Sequence, residues 1–184
     1  MIQPWKRLGS EPAGDFRIFK LRKDRRLSPR TGREHEFIIL DCPDWVNVIA
    51  VTPDDQIVMV EQLRHGSDTV EMEIPGGMMD PGETDPVAAG LRELREETGY
   101  AGQNARLLAE VWSNPALQTN RTHTVIVEQC TPAHETEWDH GEDMITRLVP
   151  VGEIAGLLVT GRIRHPLVHV ALSRFVLLRQ GVQG

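Results

Sequence analysis

Aromatic residues are scarce in this chain, at 5 %, with a single tyrosine and four each of phenylalanine and tryptophan. A core built mainly from aliphatic side chains is therefore expected, and the 40 % apolar share is enough to form one. Only two cysteines are present, Cys42 and Cys130, too few and too far apart for a disulfide framework or a cysteine metal site. No apolar run is long enough for a membrane span, and the N-terminus lacks the pattern of a signal segment. A cytoplasmic protein that does not associate with membranes is expected. Positive charge is also in deficit. The net charge of -7 disfavours nonspecific binding to nucleic acid. It also means that an anionic ligand would need local cations to be held. There is no internal repeat or low-complexity segment.

Against these absences stands one dense stretch. Residues 76–100 read GGMMDPGETDPVAAGLRELREETGY. Asp85 suits a helix N-cap, Pro86 the first helical position, and Gly99 the left-handed residue that ends a helix. At about 100° per residue, Val87, Leu91, Leu94 and Thr98 fall on one stripe, expected to pack inward. Glu93, Glu96 and Glu97 fall on roughly the opposite side, with Glu93 and Glu97 converging as an i,i+4 pair. Three clustered carboxylates repel one another unless a positive partner sits against them. Oxygen-only donors suit Mg²⁺, with Mn²⁺ as the second choice. The backbone at Gly76 and Gly77, after Ile74-Pro75, is free to approach a ligand closely. The bland alternative is a solvated acidic face balanced by Arg92 and Arg95.

The run Arg92-Glu93-Leu94, one residue, then Glu96-Glu97-Thr98-Gly99-Tyr100, preceded by a proline-glycine loop, resembles the Nudix box of the Nudix hydrolases. These enzymes cleave a diphosphate linked to another group. In the family pattern seven residues separate the first glutamate from the arginine. Here eight do, Thr84 to Leu91, between Glu83 and Arg92, which puts the usual role of Glu83 in doubt. The resemblance implies an α/β/α sandwich with a mixed β-sheet. It implies metal ligation by Glu93 and Glu97, with the carbonyl of Gly76 as a further ligand. Glu96 is then either a ligand through water or the base, and Arg92 pairs with a box carboxylate and orients it.

A weaker similarity to the ADP-ribose and nucleoside diphosphate sugar branch runs from about Trp45 to Leu148. It rests on Val60 to Arg64, on Glu71 to Pro75, on Asn114 to His123, and on Pro115 lying 15 residues after Tyr100. By this similarity Arg64 would bind a phosphate with Glu73 beside it, Pro115 would mark the substrate class, and the substrate would be a small-molecule nucleotide sugar. An acidic loop, Thr131 to Asp143, reads as mobile. Glu142 is its first candidate for a further metal ligand or base and Glu137 the second. Trp5, in a polar N-terminal segment, would stack on a nucleobase or bury in a partner subunit. Trp45, Trp112 and Trp138 are core candidates.

Along the chain, strands are expected at Phe16–Arg22, Glu36–Leu40, Trp45–Thr52, Gln56–Gln62, Val70–Glu73, Arg106–Trp112, Thr122–Glu128 and Ile145–Val149. A polar connection is expected over Arg25–Arg33. A short helix is expected at Val151–Leu158 and a terminal one at His165–Arg179. Residues 1–44 form an N-terminal β extension, and 45–184 the hydrolase domain. The branch resemblance implies that the extension joins two copies into a homodimer. The leading function is metal-dependent hydrolysis of a nucleoside diphosphate sugar such as ADP-ribose or GDP-mannose. The alternatives are a nucleoside triphosphate hydrolase and a non-catalytic nucleotide sensor.

Overall fold

The computed structural model describes residues 1–138 and 140–182; Asp139, in the acidic loop, lies outside the described residues. The chain divides into two compact units. One holds Met1–Asp44 and Val111–Arg121, the other Trp45–Glu110 and Thr122 onward.

The first unit is an antiparallel sheet of β1 (Lys6–Asp15), β2 (Lys20–Leu27) and β3 (Glu34–Asp41), in that order. Polar pairs cross the ladder at β2. Asp24 accepts from Ser10 Oγ at 2.8 Å, from Arg26 at 2.8 Å, and from Arg22. Arg22 also reaches Asp41 at 2.7 Å. The strand expected over Phe16–Arg22 is divided here. Phe16 and Phe19 close the β1–β2 turn, with the amide of Phe16 on the carbonyl of Phe19 at 2.9 Å. The segment expected as a connection continues as strand to Leu27. Apolar alternation is a poor guide in this sheet, because cross-strand charge pairs contribute to its pairing. Residues around Leu117 join the unit through the amide of Leu40, which donates to the carbonyl of Leu117 at 2.8 Å.

The second unit has two sheets. In one, β4 (Trp45–Ala50) lies between β7 (Gly76–Met78) and β9 (Arg121–Pro132), with β8 (Tyr100–Trp112) beyond β9. The β4–β9 pair is parallel and the β4–β7 pair antiparallel, so the sheet is mixed. In the other, β5 (Gln56–Arg64) lies between β10 (Met144–Pro150) and β6 (Thr69–Glu73). Three helices complete the fold: α1 (Pro86–Thr98), α2 (Val151–Val159) and α3 (Pro166–Arg179).

Side-chain alternation on β4 divides the core in two. Val46, Val48 and Ala50 pack with Ala89 and Leu94 of α1 and with Val125 and Val127. Ile49 and its neighbours Ile57, Met59 and Ile126 pack instead with Ile154 and Leu158 of α2 and with Val168, Leu172 and Phe175 of α3. Helices thus cover both faces, which gives the α/β/α sandwich. Gly90 lets α1 lie close to the sheet, since a Cβ there would stand 3.1 Å from Val125 and 3.2 Å from Val48.

Candidate active site

Helix α1 is built as its sequence signals. The Asp85 carboxylate accepts from the amide of Val87 at 2.9 Å, Pro86 follows, and Gly99 closes the helix in the left-handed conformation. Its inward face is rotated from the expected stripe. Leu91 is exposed, whereas Glu93 and Glu97 are buried at 9 % and 3 % exposure. Two carboxylates have therefore taken up core positions beside Gly76 and Gly77, where the expected glycine turn is strand β7.

The two glycines fit them closely. The amide of Gly76 donates to Glu97 Oε2 at 3.0 Å. A Cβ on Gly76 would lie 2.3 Å from the carbonyl oxygen of Val46, so only glycine fits against β4. A Cβ on Gly77 would lie 2.7 Å from Glu93 Oε1. Burial pushes the Glu93 carboxyl up to about 7, against the opposing pull of Arg92. Glu97 is raised well above the usual carboxylate range, first by burial and then by the charge of Glu93. The pair is short of positive charge.

Arg92 is the hub of the outer cluster. It donates to Glu93 at 2.9 Å, to Glu96 at 3.1 Å and to Glu83 at 3.1 and 3.3 Å. Glu83 also caps the amide of Asp80 at 2.7 Å. The side chain of Arg92, and the amide of Asp80 on its own loop, hold the Glu83 carboxyl below its usual range. The extra residue between Glu83 and Arg92 thus leaves their contact in place.

The acidic loop is tied to the end of α1 rather than loose along its whole length. The amides of Ala133 and His134 donate to the carbonyl of Gly99, both at 2.9 Å, and the amide of Glu137 donates to that of Glu96 at 2.8 Å. The Trp138 indole N–H donates to the carbonyl of Glu97 at 2.9 Å. Glu137 pairs with Arg95 at 3.7 Å. The charge of Glu142 acts on Glu93, Glu97 and Arg64.

Arg64 binds Glu73 through two hydrogen bonds of 2.7 Å, and Glu73 is 2 % exposed. Glu73 is thereby an anchor for the guanidinium. Trp5 and Pro115 belong to the first unit. The Trp5 ring meets His35 and Phe37 edge-on at 5.3 and 5.5 Å, and Pro115 sits in the turn held by Asn114. Trp112 and Trp138 are both exposed, not core. Sequence reasoning passed over the contact of Gly77 with Glu93 and the bond of Trp138 to α1. The second glycine of the pair was the one available signal for the first.

Among the described residues, no three histidine, cysteine, aspartate or glutamate side chains are gathered closely enough to enclose a metal ion. The donor set fits a divalent cation of the Mg²⁺ kind all the same. Such an ion is commonly held by one or two carboxylates, with water and substrate phosphate completing its shell, and Glu93 and Glu97 are a buried pair whose direct ion pair is the one from Arg92 to Glu93. A separate hollow of 590 Å³ runs along α3 past Val170, Ser173 and Leu177 and contains none of these groups.

A mixed sheet lies between helices, and α1 sets two buried carboxylates beside the glycines of β7. The chain belongs to the NUDIX domain family, whose model matches residues 43–168. It is 32 % identical over 104 residues to an ADP-ribose pyrophosphatase of Bacillus subtilis (strain 168), covering 56 % of each chain. It is 34 % identical over 123 residues to the methanol dehydrogenase activator of Bacillus methanolicus, covering 67 % of this chain and 65 % of that one. The chain thus spans less than two thirds of the length of either relative. A solved structure of an ADP compounds hydrolase superposes with a TM-score of 0.86 at 20 % identity, over 98 % of this chain and 97 % of that one, which establishes the shared fold.

Proposed function

We propose that the chain is a divalent-metal-dependent hydrolase of a nucleoside diphosphate sugar, with ADP-ribose or a close relative as substrate. The observation that carries this reading is the buried Glu93–Glu97 pair against the Gly76 amide. Two carboxylates sunk beside a glycine turn make little sense without a cation, and the similarity to an ADP-ribose pyrophosphatase supports the substrate class.

Glu93, Glu97 and the carbonyl of Gly76 would hold Mg²⁺, or Mn²⁺ in its place. An ion held there would supply neutralisation of phosphate charge and a lowered pKa for a bound water. The water oxygen bonds to one phosphorus as the bridging P–O bond breaks, and the bridging oxygen leaves on the other phosphate. A nucleoside monophosphate and a sugar phosphate result. Glu142 is the first candidate to take the proton or to add a metal ligand, with Glu137 second and Glu96 acting through water or as base. Arg92 positions Glu93 and Glu96 by its hydrogen bonds. Arg64, braced by Glu73, offers its remaining N–H groups to a phosphate. Trp5 and Pro115 stand as candidate substrate-binding residues on the branch resemblance alone.

Residues 1–44 are proposed as the dimerisation segment of a cytoplasmic homodimer, which sedimentation at micromolar concentration would test; a fully active monomer refutes it. Among the described residues, no helix is long and apolar enough to cross a membrane. The function is tested with ADP-ribose, GDP-mannose, ADP-glucose and UDP-glucose, with and without Mg²⁺, and identification of both products. Release of inorganic pyrophosphate from nucleoside triphosphates, with no cleavage of the sugars, would replace this reading by the triphosphate one.

A further inference from the structure

The last turn of α1 leaves carbonyls without intrahelical donors. Three successive ones are capped from outside the helix. Arg95 receives the amide of Gly99 at 2.8 Å, Glu96 the amide of Glu137 at 2.8 Å, and Glu97 the indole N–H of Trp138 at 2.9 Å. The last two caps come from the acidic loop, and they land on two residues whose side chains belong to the carboxylate cluster. Any residue at position 137 supplies a backbone N–H. The cap on Glu97 is a side-chain one and depends on Trp138 itself.

Trp138 is an odd residue if its task is packing, because it is 42 % exposed. A tryptophan with little burial but a satisfied N–H is used for its polar edge. Its place in the chain shows what that edge holds. Glu142 follows four residues later, and two residues beyond it Met144 enters β10, paired with Gln62 of β5. Glu142 therefore lies in sequence between a residue bonded to α1 and a strand paired with β5. Its charge acts on Glu93, Glu97 and Arg64.

We infer that Trp138 is a positioning residue whose indole N–H, bound to the carbonyl of Glu97, fixes the acidic loop to the box helix and sets where Glu142 stands relative to Glu93 and Glu97. The inference rests on the reading of Glu142 as base or further metal ligand. Trp138 touches neither substrate nor the reacting atoms in this role. Losing its N–H removes the tie to the Glu97 carbonyl and frees the loop at position 138 while the fold stays in place.

The test uses the full chain with Mg²⁺ and ADP-ribose, comparing wild type, Trp138→Phe, Glu142→Gln and the double variant. Trp138→Phe keeps an aromatic six-membered ring and removes the N–H donor together with the five-membered ring that carries it. Its kcat is expected to fall about five- to tenfold, the scale of one lost hydrogen bond, with KM within about twofold. In the Glu142→Gln background the same change is expected to have no further effect, because it acts through the group already removed. Amide exchange over residues 133–138 of Trp138→Phe is expected to quicken with or without substrate. A wild-type kcat in Trp138→Phe, a loss that adds in full to that of Glu142→Gln, or unchanged exchange over 133–138 would overturn the inference. Failure of the underlying reading looks different. Either the wild type cleaves no diphosphate sugar, or Glu142→Gln turns over normally, while the exchange measurement still reports on the anchor.

Discussion

Glu97 is kept in the core at a cost in electrostatic energy. Only 3 % of it is exposed, its charge lies beside that of Glu93, and its carboxylate accepts a hydrogen bond from the Gly76 amide at 3.0 Å. A glutamine there keeps an acceptor for that amide and discards the buried charge. Glu97→Gln is therefore expected to fold at least as stably as wild type without metal, read by urea unfolding. It should lose about a hundred- to a thousandfold in kcat, the scale of removing one preorganised electrostatic group. A variant with normal turnover refutes the assignment. Gly77 makes the complementary case. A methyl group there would sit 2.7 Å from Glu93 Oε1, so the carboxylate must swing aside. Gly77→Ala is expected to lower kcat by about tenfold or more while leaving the unfolding midpoint nearly unchanged, since a side-chain tip yields more cheaply than backbone.

Among the elements, the β1–β3 sheet shows how pairing can be achieved without an apolar face. Asp24 is fully covered, but by Arg7, Arg22 and Arg26, which themselves stay partly in water. Burial raises its carboxyl, and the hydrogen bonds from Arg22, Ser10 and Arg26 outweigh that and hold it below the usual carboxylate range. A carboxyl with a depressed folded pKa contributes stability above its unfolded pKa. It loses that stability as pH falls through the folded value. Asp24 thus contributes fully at neutral pH, and its contribution fades only below the ordinary carboxylate range. Asp24→Asn is expected to lower the urea midpoint at pH 7 and to flatten the dependence of that midpoint on acid. Equal midpoints for the two proteins at pH 7 would refute the role. Helix α1 gives the opposite lesson, because its ends follow from Asp85, Pro86 and Gly99 alone.

For the molecule as a whole, a cation bound at Glu93 and Glu97 as proposed would be a folding ligand as well as a reaction component. A ligand at a hundred times its Kd adds about 2.7 kcal/mol to the state that binds it. For a chain of this size that corresponds to a rise of about 5–10 °C in the midpoint of the transition carrying the second unit. Mg²⁺ or Mn²⁺ is expected to produce such a rise in the wild type and little or none in Glu97→Gln, measured by calorimetry. Equal shifts in both proteins would place the cation elsewhere.

Several features follow from the order of residues alone, because they are local. The cap and stop of α1, the i,i+4 spacing of Glu93 and Glu97, and the apolar runs of β4 and β5 each depend on neighbours within a turn or a pleat. The mixed sandwich and the family were legible for the same reason, since the box is a contiguous run. Other features depend on partners far along the chain, and only the tertiary structure decided them. Leu91 faces solvent and Glu93 the interior because Val48 and Val125 accept α1 at Gly90, a choice that helical periodicity cannot make. Glu83 meets Arg92 across an added residue because side-chain reach absorbs it. Trp138 lies on the surface because its partner is a carbonyl 41 residues earlier, where a hydrogen bond rather than burial fixes its place.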